Sequence, residues 1–575
     1  MMDKKRVIEI LEEIGTLLEF KGENPFKTRA YSNAARALEG TTDDLAELVA
    51  NKRLREIKGV GEAISEKITD LVTTGKLKYY DDLRAEFPAG LLDLLRIPGL
   101  GPKKAKKLYD ELDITSIDAL EKACQENQLV DLEGFGKKSQ EKFLDGIRQV
   151  REFSVRHLFH HAVEVAMPLF EAVRKHPKVI RAELAGSLRR CKETIKDIDI
   201  VASCKDADRP AIMKAFTSFP GVRHIIAQGE TKSSVLLEKG VPADLRLLGD
   251  LEYPYLLHHS TGSAEHNVAM RGLALKRGIK MSDYGLFKGE KLIRCKDETE
   301  IFAALGMSYV PPEMRENMGE IEAALQDEIP ALIEKEDLRG VLHCHSTHSD
   351  GANSLREMAE ASKKLGFEYL GLCDHSMSVA YAHGLTPERV KIQQKEIDKL
   401  NAEMKGFRIF KGTECDILPN GKLDYPEKVL ESFDFVVASI HSAMSMTEEK
   451  ATARLIKAME HPAVRILGHP TGRLLLGRDG YPINHRKVID AAAALGVCIE
   501  INASPYRFDL DWRYCKYARD KGVLISINPD AHSIAGLADT FLGIGIARKG
   551  WLRKGDVLNT KSTKEIEKWF AKKRA

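Results

Sequence analysis

The chain has 575 residues, 43% hydrophobic and 30% charged, which excludes a fibrous or disordered protein and leaves room for roughly three or four domains with cores of their own. A formal net charge of +2 excludes a globally basic nucleic-acid binder, so attraction for phosphate must come from local clusters. The nine cysteines form no C-x-x-C pair and read as reduced thiols; neither a secretory leader nor an apolar run of about 20 residues is present, so a cytoplasmic chain is expected.

Residues 3–20 carry Val7, Ile8, Ile10, Leu11, Ile14, Leu17 and Leu18 at helical spacing and predict an amphipathic helix. Asn24-Pro25-Phe26-Lys27-Thr28-Arg29-Ala30-Tyr31 reads as a turn leading into a helix with Ala34, Ala35, Ala37 and Leu38. One pattern then occurs three times, an apolar residue before Gly-apolar-Gly and a lysine-bearing helix. The copies are Ile57-Lys58-Gly59-Val60-Gly61, Ile97-Pro98-Gly99-Leu100-Gly101 and Leu132-Glu133-Gly134-Phe135-Gly136. Such a hairpin brings backbone amides close to a phosphate and aims the next helix's dipole at it, a sequence-independent grip on a DNA backbone. Lys103, Lys104, Lys106 and Lys107 follow the second copy, and Lys137, Lys138 and Lys142 the third. The repetition with basic followers predicts helix-hairpin-helix motifs, with the six glycines, Lys103 and Lys104 as the DNA contacts.

Farther on, Gly186-Ser187-Leu188-Arg189-Arg190 precedes Asp197-Ile198-Asp199-Ile200-Val201. Residues two apart on a strand share a face, so Asp197 and Asp199 present paired carboxylates, and Asp244 in a second short apolar run is a candidate third. Three such acids can hold two hard cations about 3.5–4 Å apart for in-line phosphoryl transfer, with Mg²⁺ or Mn²⁺ as the expected ions. The Gly186-Ser187 turn offers backbone N–H groups to phosphate oxygens, and Arg190 adds a charge.

This order of motifs resembles the nucleotidyltransferase palm of the family-X DNA polymerases. The resemblance implies Asp197, Asp199 and Asp244 as catalytic metal ligands, and Gly186, Ser187 and Arg190 on an incoming triphosphate. It extends to Ser260-Thr261-Gly262-Ser263, His266, Asn267 and Met270-Arg271-Gly272, where Gly262, Ser263, Asn267 and Arg271 would lie beside the nucleotide and templating base. His258-His259-Ser260 stands where the vertebrate members have an aromatic residue that helps exclude ribonucleotides. At the amino end, the first hairpin resembles the family's lyase domain, with Lys67 as the nucleophile and Lys27 and Tyr31 on a 5′-phosphate. Ala63 stands where that pocket is expected to have a further lysine.

After Leu338 short apolar runs, each ending in a polar residue, alternate with helical sequence. Seven end at His343/His345, Asp374/His375, Glu414, His441, His469, Asn502 and Asp530/His532. Alternating strands and helices predict a parallel sheet, and polar residues at strand carboxy ends predict a barrel with its site on that rim. Imidazole and carboxylate together suit Zn²⁺, Mn²⁺ or Fe²⁺. His348, His383, His461 and His485 fall off the pattern.

The layout resembles the PHP domain, the polymerase and histidinol phosphatase phosphoesterase, over 338–575. By that resemblance one ion takes His343, His345, Glu414 and Asp530, a second Glu414, His441 and His469, and a third Asp350, His375 and His532. The ions would be Zn²⁺ or Mn²⁺, up to three of them, and the chemistry phosphodiester hydrolysis by metal-activated water.

The fold expected is multidomain. It comprises α-helical helix-hairpin-helix domains (1–80, lyase-like, and 81–150), an α/β nucleotidyltransferase palm (151–258), a small α+β subdomain (259–315), a helical linker (316–337) and a distorted (β/α)7 PHP barrel (338–575). Together the modules resemble bacterial family-X DNA polymerases. The expected function is filling short gaps during base excision repair, with 3′–5′ exonuclease and abasic-site or 3′-phosphate processing in the barrel. The expected partners are gapped or primed DNA and dNTPs, with no membrane and a monomeric state. The alternative is a DNA end-processing nuclease whose palm only binds DNA.

Overall fold

The computed structural model describes residues 4–40, 45–57, 59–97, 99–130, 132–154 and 156–572, so Lys58 and Pro98 of the first two hairpins lie outside the described residues. The chain forms two compact units, Met1–Val155 and Arg156–Ala575. Among the described residues no helix is long and apolar enough to cross a membrane.

The first unit is helical. Helix Lys4–Phe20 buries Val7, Leu11, Ile14 and Leu17 against Ala34, Ala35 and Leu38 of helix Pro25–Gly40. The second helix starts earlier than the expected turn allows. The Asn24 side chain accepts a hydrogen bond from the Phe26 N–H at 2.9 Å and Pro25 occupies the first helical position, so Lys27 and Tyr31 are helical residues. The three hairpins share one backbone. Gly59, Gly99 and Gly134 have φ of +105°, +82° and +85°, and Val60, Leu100 and Phe135 donate to the carbonyls of Ile57, Ile97 and Leu132 at 3.0, 3.0 and 2.9 Å. A side chain would be strained at those glycines, which is why glycine recurs there. Helices Glu62–Thr74, Pro102–Leu112 and Lys137–Ser154 follow directly.

The second unit opens with a five-stranded mixed sheet in the order Arg181–Leu184, Ile198–Ser203, Pro242–Leu248, Lys232–Leu237, Val222–Gln228. Only Ile198–Ser203 and Pro242–Leu248 run parallel. Helices Phe159–Arg174 and Arg209–Thr217 cover one face through Ala162, Leu169, Ile212 and Phe216. Helix Tyr253–Thr261 covers the other, setting Leu256 and Leu257 on Val201. Helix Ala264–Lys276, a three-stranded antiparallel sheet and helix Glu298–Ala304 follow.

Residues 316–337 are not the helical linker expected from their acidity. They contain one six-residue α-helix, Glu320–Leu325, and two of their glutamates, Glu316 and Glu320, turn inward while Glu322, Glu328, Glu334 and Glu336 stay exposed. Glu320 is fully buried, accepting from the N–H groups of Asn317 and Met318 and bonding His266 Nδ1 at 2.6 Å. Glu316 pairs with Arg190 at 3.0 Å and with the buried Lys549 ammonium, which also donates to the carbonyls of Arg190 and Glu313 at 3.0 and 3.2 Å. Burial pushes Lys549 down to about 8 although Glu316 opposes it. These acids are tolerated inside because each has a charged or N–H partner.

The remainder is a seven-stranded, all-parallel sheet in sequence order, Gly340–Cys344, Tyr369–Leu372, Arg408–Asp416, Phe435–Ser439, Val464–Leu467, Cys498–Asn502 and Ile525–Asn528. Every strand residue except Arg408 and Lys411 is buried, as both faces of a helix-covered parallel sheet require. Two contacts draw the outer strands into a barrel. His345 N–H donates to Ala531 C=O at 2.9 Å at the carboxy end. At the other end the buried Asn559 donates to Gly340 C=O at 3.0 Å and accepts from Ile527 N–H at 2.7 Å. Helix Thr563–Ala571 closes the base, stacking Phe570 on Phe435 at 4.7 Å between ring centres.

Candidate functional site

The five-stranded sheet brings the three sequence-selected aspartates together. Strand register sets Asp199 directly opposite Asp244, which fixes their backbones one strand spacing apart, about 4.8 Å. Asp197 stands just before the same strand. Ala185 N–H donates to Asp199 C=O at 2.8 Å, seating the Gly186 turn on that strand. Gly186 has φ +59°, and a Cβ on it would lie 1.9 Å from Asp199 Oδ2, so no other residue fits without displacing the carboxylate. Burial, then the charges of Asp197 and Asp244, push the Asp199 carboxyl up to about 7, while Lys232 and Arg190 oppose the rise. That concentration of negative charge is what a divalent cation relieves.

Two cationic side chains serve the cluster meanwhile. Lys232 on the neighbouring strand lies 2.7 Å from Asp244 Oδ2. Arg190, expected on a triphosphate, donates to Glu316 and to Thr261 C=O at 2.7 Å. Asn267 donates to the carbonyls of His259 and Gly262 at 2.8 and 3.2 Å and so pins the turn holding Gly262; Arg271 lies one helical turn farther along the same helix. Ser263 caps that helix by accepting from His266 N–H. His258, where an aromatic was expected, is fully buried edge-on to Phe302 with ring centres 5.2 Å apart, and burial lowers its imidazole well below the ordinary range. It fills space as a neutral ring.

In the helical unit, Lys67 Nζ donates to Ala63 C=O at 3.2 Å and sits 4.8 Å from the centre of the Tyr79 ring. Tyr31 is only 5% exposed; burial, then Tyr79, raise its phenol. Tyr79 therefore joins two residues that sequence reasoning had linked only by resemblance. Lys27 pairs with Glu23 at 3.1 Å. Lys104 reaches the Phe135 and Phe143 rings of the third hairpin, at 5.8 Å from each, whereas Lys103 is exposed.

All nine barrel residues singled out in the sequence converge at the carboxy ends of the strands. Three groups have donor atoms within 4.8 Å of one another: His343, His345, Glu414 and Asp530; His345, Asp350, His375 and His532; and His375, Glu414 and His441. Glu414 is central. Its Oε1 faces His469 Nε2 at 2.8 Å and His441 Nε2 at 3.2 Å, and its Oε2 faces His375 Nδ1 at 3.0 Å, His343 Nε2 at 3.5 Å and His345 Nε2 at 3.7 Å. Asp530 Oδ1 lies 3.0 Å from His345, and Asp350 lies 3.4 Å from His532 and 3.6 Å from His375. His348, off the pattern, bonds Glu396 instead.

A second ring of polar groups orients these side chains; of its members the sequence singled out Asn502 as a strand end but missed Glu500 and Asp416. Glu500 Oε1 takes His343 Nδ1 at 2.8 Å, leaving the buried Nε2 without a hydrogen-bond partner and aimed at Glu414 and Asp530. Asp416 lies 3.4 Å from His441 Nδ1, and Asn502 donates to Asp530 Oδ2 at 3.0 Å. The available signal was the two-residue period, because Glu500 shares a strand face with Asn502, and Asp416 with Glu414. Carboxylate-to-imidazole contacts of this kind fix which ring nitrogen is offered to a metal.

The orphaned His343 nitrogen and the mixed imidazole–carboxylate donors fit divalent ions of the zinc and manganese class. Burial alone would lower the His343 imidazole, but Glu500, Glu414 and Asp530 outweigh it and hold it well above the ordinary range. His441 and His532 are held at about 9 by facing carboxylates that overcome burial, whereas burial and the neighbouring His532 and His375 push His345 down to about 3. Glu414 stays well below the carboxylate range because His441, His343 and His375 outweigh its burial. The metal-free mouth thus carries imidazolium protons that an ion must displace. Metal affinity is expected to rise at least about tenfold per pH unit from pH 6 to 8, as read by competition with a chromophoric chelator. A pH-independent affinity would contradict this assignment.

The description "DNA polymerase beta thumb" matches residues 256–316, "Helix-hairpin-helix domain" residues 2–77, "SAM-like Helix-hairpin-helix tandem" residues 91–149 and "PHP domain" residues 342–504. The chain is 41% identical over 571 residues to the DNA polymerase/3′-5′ exonuclease PolX of Bacillus subtilis (strain 168), covering 98% of this chain and 99% of that one. It is 30% identical over 244 residues to a probable phosphatase of Thermoanaerobacter sp. (strain X514), a match confined to 40% of this chain and 94% of the relative. Matched to the Bacillus subtilis relative over 98% of its length, and carrying helix-hairpin-helix, polymerase-thumb and PHP matches, the chain belongs to the bacterial family-X, PolX-type DNA polymerase/3′-5′ exonucleases.

Proposed function

We propose that the chain fills short gaps in DNA at the Asp197–Asp199–Asp244 cluster and removes 3′-terminal nucleotides at the barrel mouth. The observation that carries the reading is the in-register pairing of Asp199 with Asp244 beside Gly186, in the same chain as a barrel rim whose strand ends meet on Glu414. Asp197, Asp199 and Asp244 would hold Mg²⁺ or Mn²⁺; the nine barrel ligands would hold up to three Zn²⁺ or Mn²⁺ ions. Such ions supply the charge neutralisation and nucleophile activation that phosphoryl transfer needs.

The protein's own groups do the rest. Gly186 and Ser187 offer backbone N–H groups to a dNTP triphosphate, and Arg190 adds its guanidinium on exchanging Glu316 for phosphate. Asn267 and Arg271 lie on the helix that would face the new base pair and the template. The hairpin glycines with Lys103 and Lys104 hold the duplex backbone on both sides of a gap. Lys67, with Lys27 and Tyr31, occupies the position of a lyase pocket. In the barrel, Glu500 and Asp416 keep imidazoles oriented while a phosphodiester is placed at Glu414. Processing of abasic sites and 3′-phosphates belongs to the same mouth, in keeping with the phosphatase names of the shorter relatives. We assign residues 1–80, 81–150, 151–258, 259–315 and 338–575 to the five functional modules, and a monomer working in the cytoplasm suffices for both reactions.

The test is one labelled, gapped duplex incubated with Mn²⁺. With dNTPs the primer lengthens to the gap's end, and without them it shortens from its 3′ terminus. Shortening with no incorporation of any dNTP would return the palm to a DNA-holding role in an end-processing nuclease.

A further inference from the structure

Between the strand Tyr369–Leu372 and the helix Pro387–Glu403 the chain makes a closed loop over residues 376–385. It is tied at its base by Leu385 N–H to His375 C=O at 2.8 Å and by the Tyr425 hydroxyl to Leu385 C=O at 2.6 Å. Ser378 N–H donates to Asp424 at 2.6 Å, and Arg389 donates to His383 C=O at 2.7 Å. Its own Val379 and Ala382 are buried, so the loop is packed on its underside and anchored along its length. At its apex the Tyr381 ring is 75% exposed.

The position of that ring matters because the loop starts at His375, one of the residues facing Glu414. The loop also holds to the mouth itself: Ser376 N–H donates to Glu414 C=O at 3.0 Å and Ser378 Oγ to Asp416 at 3.3 Å, and the Tyr381 hydroxyl feels the charges of Glu414, Asp416, Asp350 and Arg507. Crowding of the hydroxyl end, then those carboxylates, raise the phenol, with Arg507 opposing. An aromatic ring carried on an anchored loop and open to solvent at the rim of a phosphodiester site is the usual platform for an unpaired base.

We propose that Tyr381 is a specificity residue of the barrel, stacking on the base of the 3′-terminal nucleotide so that the phosphodiester behind it is presented to Glu414 and its neighbours. This rests on the reading of the barrel as the 3′-end hydrolase. Stacking holds any base by its π face, so removal is sequence-tolerant but requires the terminal base to be unpaired.

The test compares single-stranded oligonucleotides ending in an ordinary nucleotide or in a base-less tetrahydrofuran residue, using the full chain. The parent is expected to favour the base-bearing end by about 5- to 160-fold in kcat/KM, the range of a single base–aromatic stack. Tyr381→Phe keeps that preference. Tyr381→Ala brings the ratio near one while cleaving the base-less end at the parental rate, a control that also reports an intact fold. A parent with no preference, a Tyr381→Ala chain that keeps the parental ratio, or a Tyr381→Phe chain as impaired as the alanine variant each overturns the inference while leaving the hydrolase reading in place. A parent that releases neither end overturns both.

Discussion

Replacing Asp199 by asparagine is expected to cut nucleotide incorporation by at least about 10²- to 10³-fold, the scale lost when a charge-stabilising group is removed from a phosphoryl- or acyl-transfer site, while 3′-end degradation continues at the parental rate. Asparagine keeps the shape, so the close approach of Gly186 is undisturbed and the loss reports charge alone. The same substitution has a signature in stability. The folded Asp199 carboxyl, at about 7, sits above its ordinary value of 3.8, so the fold opposes its ionisation. The resulting destabilisation is absent below about pH 4, grows as pH rises towards 7 and is complete above it. In metal-free buffer the asparagine variant should therefore melt higher than the parent at pH 8 and together with it near pH 4. A variant that melts lower at pH 8, or still incorporates dNTPs at the parental rate, contradicts the role given to Asp199.

The second large effect is expected at Glu414, whose two oxygens face five imidazoles. Glu414→Gln removes the one carboxylate common to two of the three ligand groups. It also leaves the cationic His343 and His441 without their central counter-charge in a buried setting. Exonuclease activity should fall by at least about 10²-fold, bound metal per chain should drop in elemental analysis, and gap filling should persist because the palm carboxylates lie on a different sheet. Retention of both metal and exonuclease would remove Glu414 from the site.

The parts of this architecture legible in the sequence are those written in local period and order. The i, i+2 spacing of Asp197 and Asp199, the recurring Gly-apolar-Gly and the polar residue closing each of seven apolar runs all survive in the structure. What was illegible came from partners distant in the chain. Lys232 looks like any exposed polar residue at a strand start, yet the neighbouring strand sets it opposite Arg246, two residues from Asp244, and its ammonium reaches that carboxylate diagonally. Lys549 and Glu316 lie 233 residues apart, and only the packing of helix Thr540–Lys549 against the segment after Arg315 shows that they neutralise one another indoors. Asn559 closes the barrel from a segment with no strand signal of its own. Acidity misled in 316–337 because composition reports how many charges a segment has, whereas burial depends on whether each finds a partner.

Two separate cation sites are expected in one chain, and anomalous diffraction from Mn²⁺-soaked crystals with gapped DNA and a non-hydrolysable dNTP locates them both. The expected map has peaks among Asp197, Asp199 and Asp244, with Lys232 released from Asp244, and a further group around Glu414. Peaks confined to the barrel, with Lys232 still seated on Asp244, would contradict synthesis at the palm.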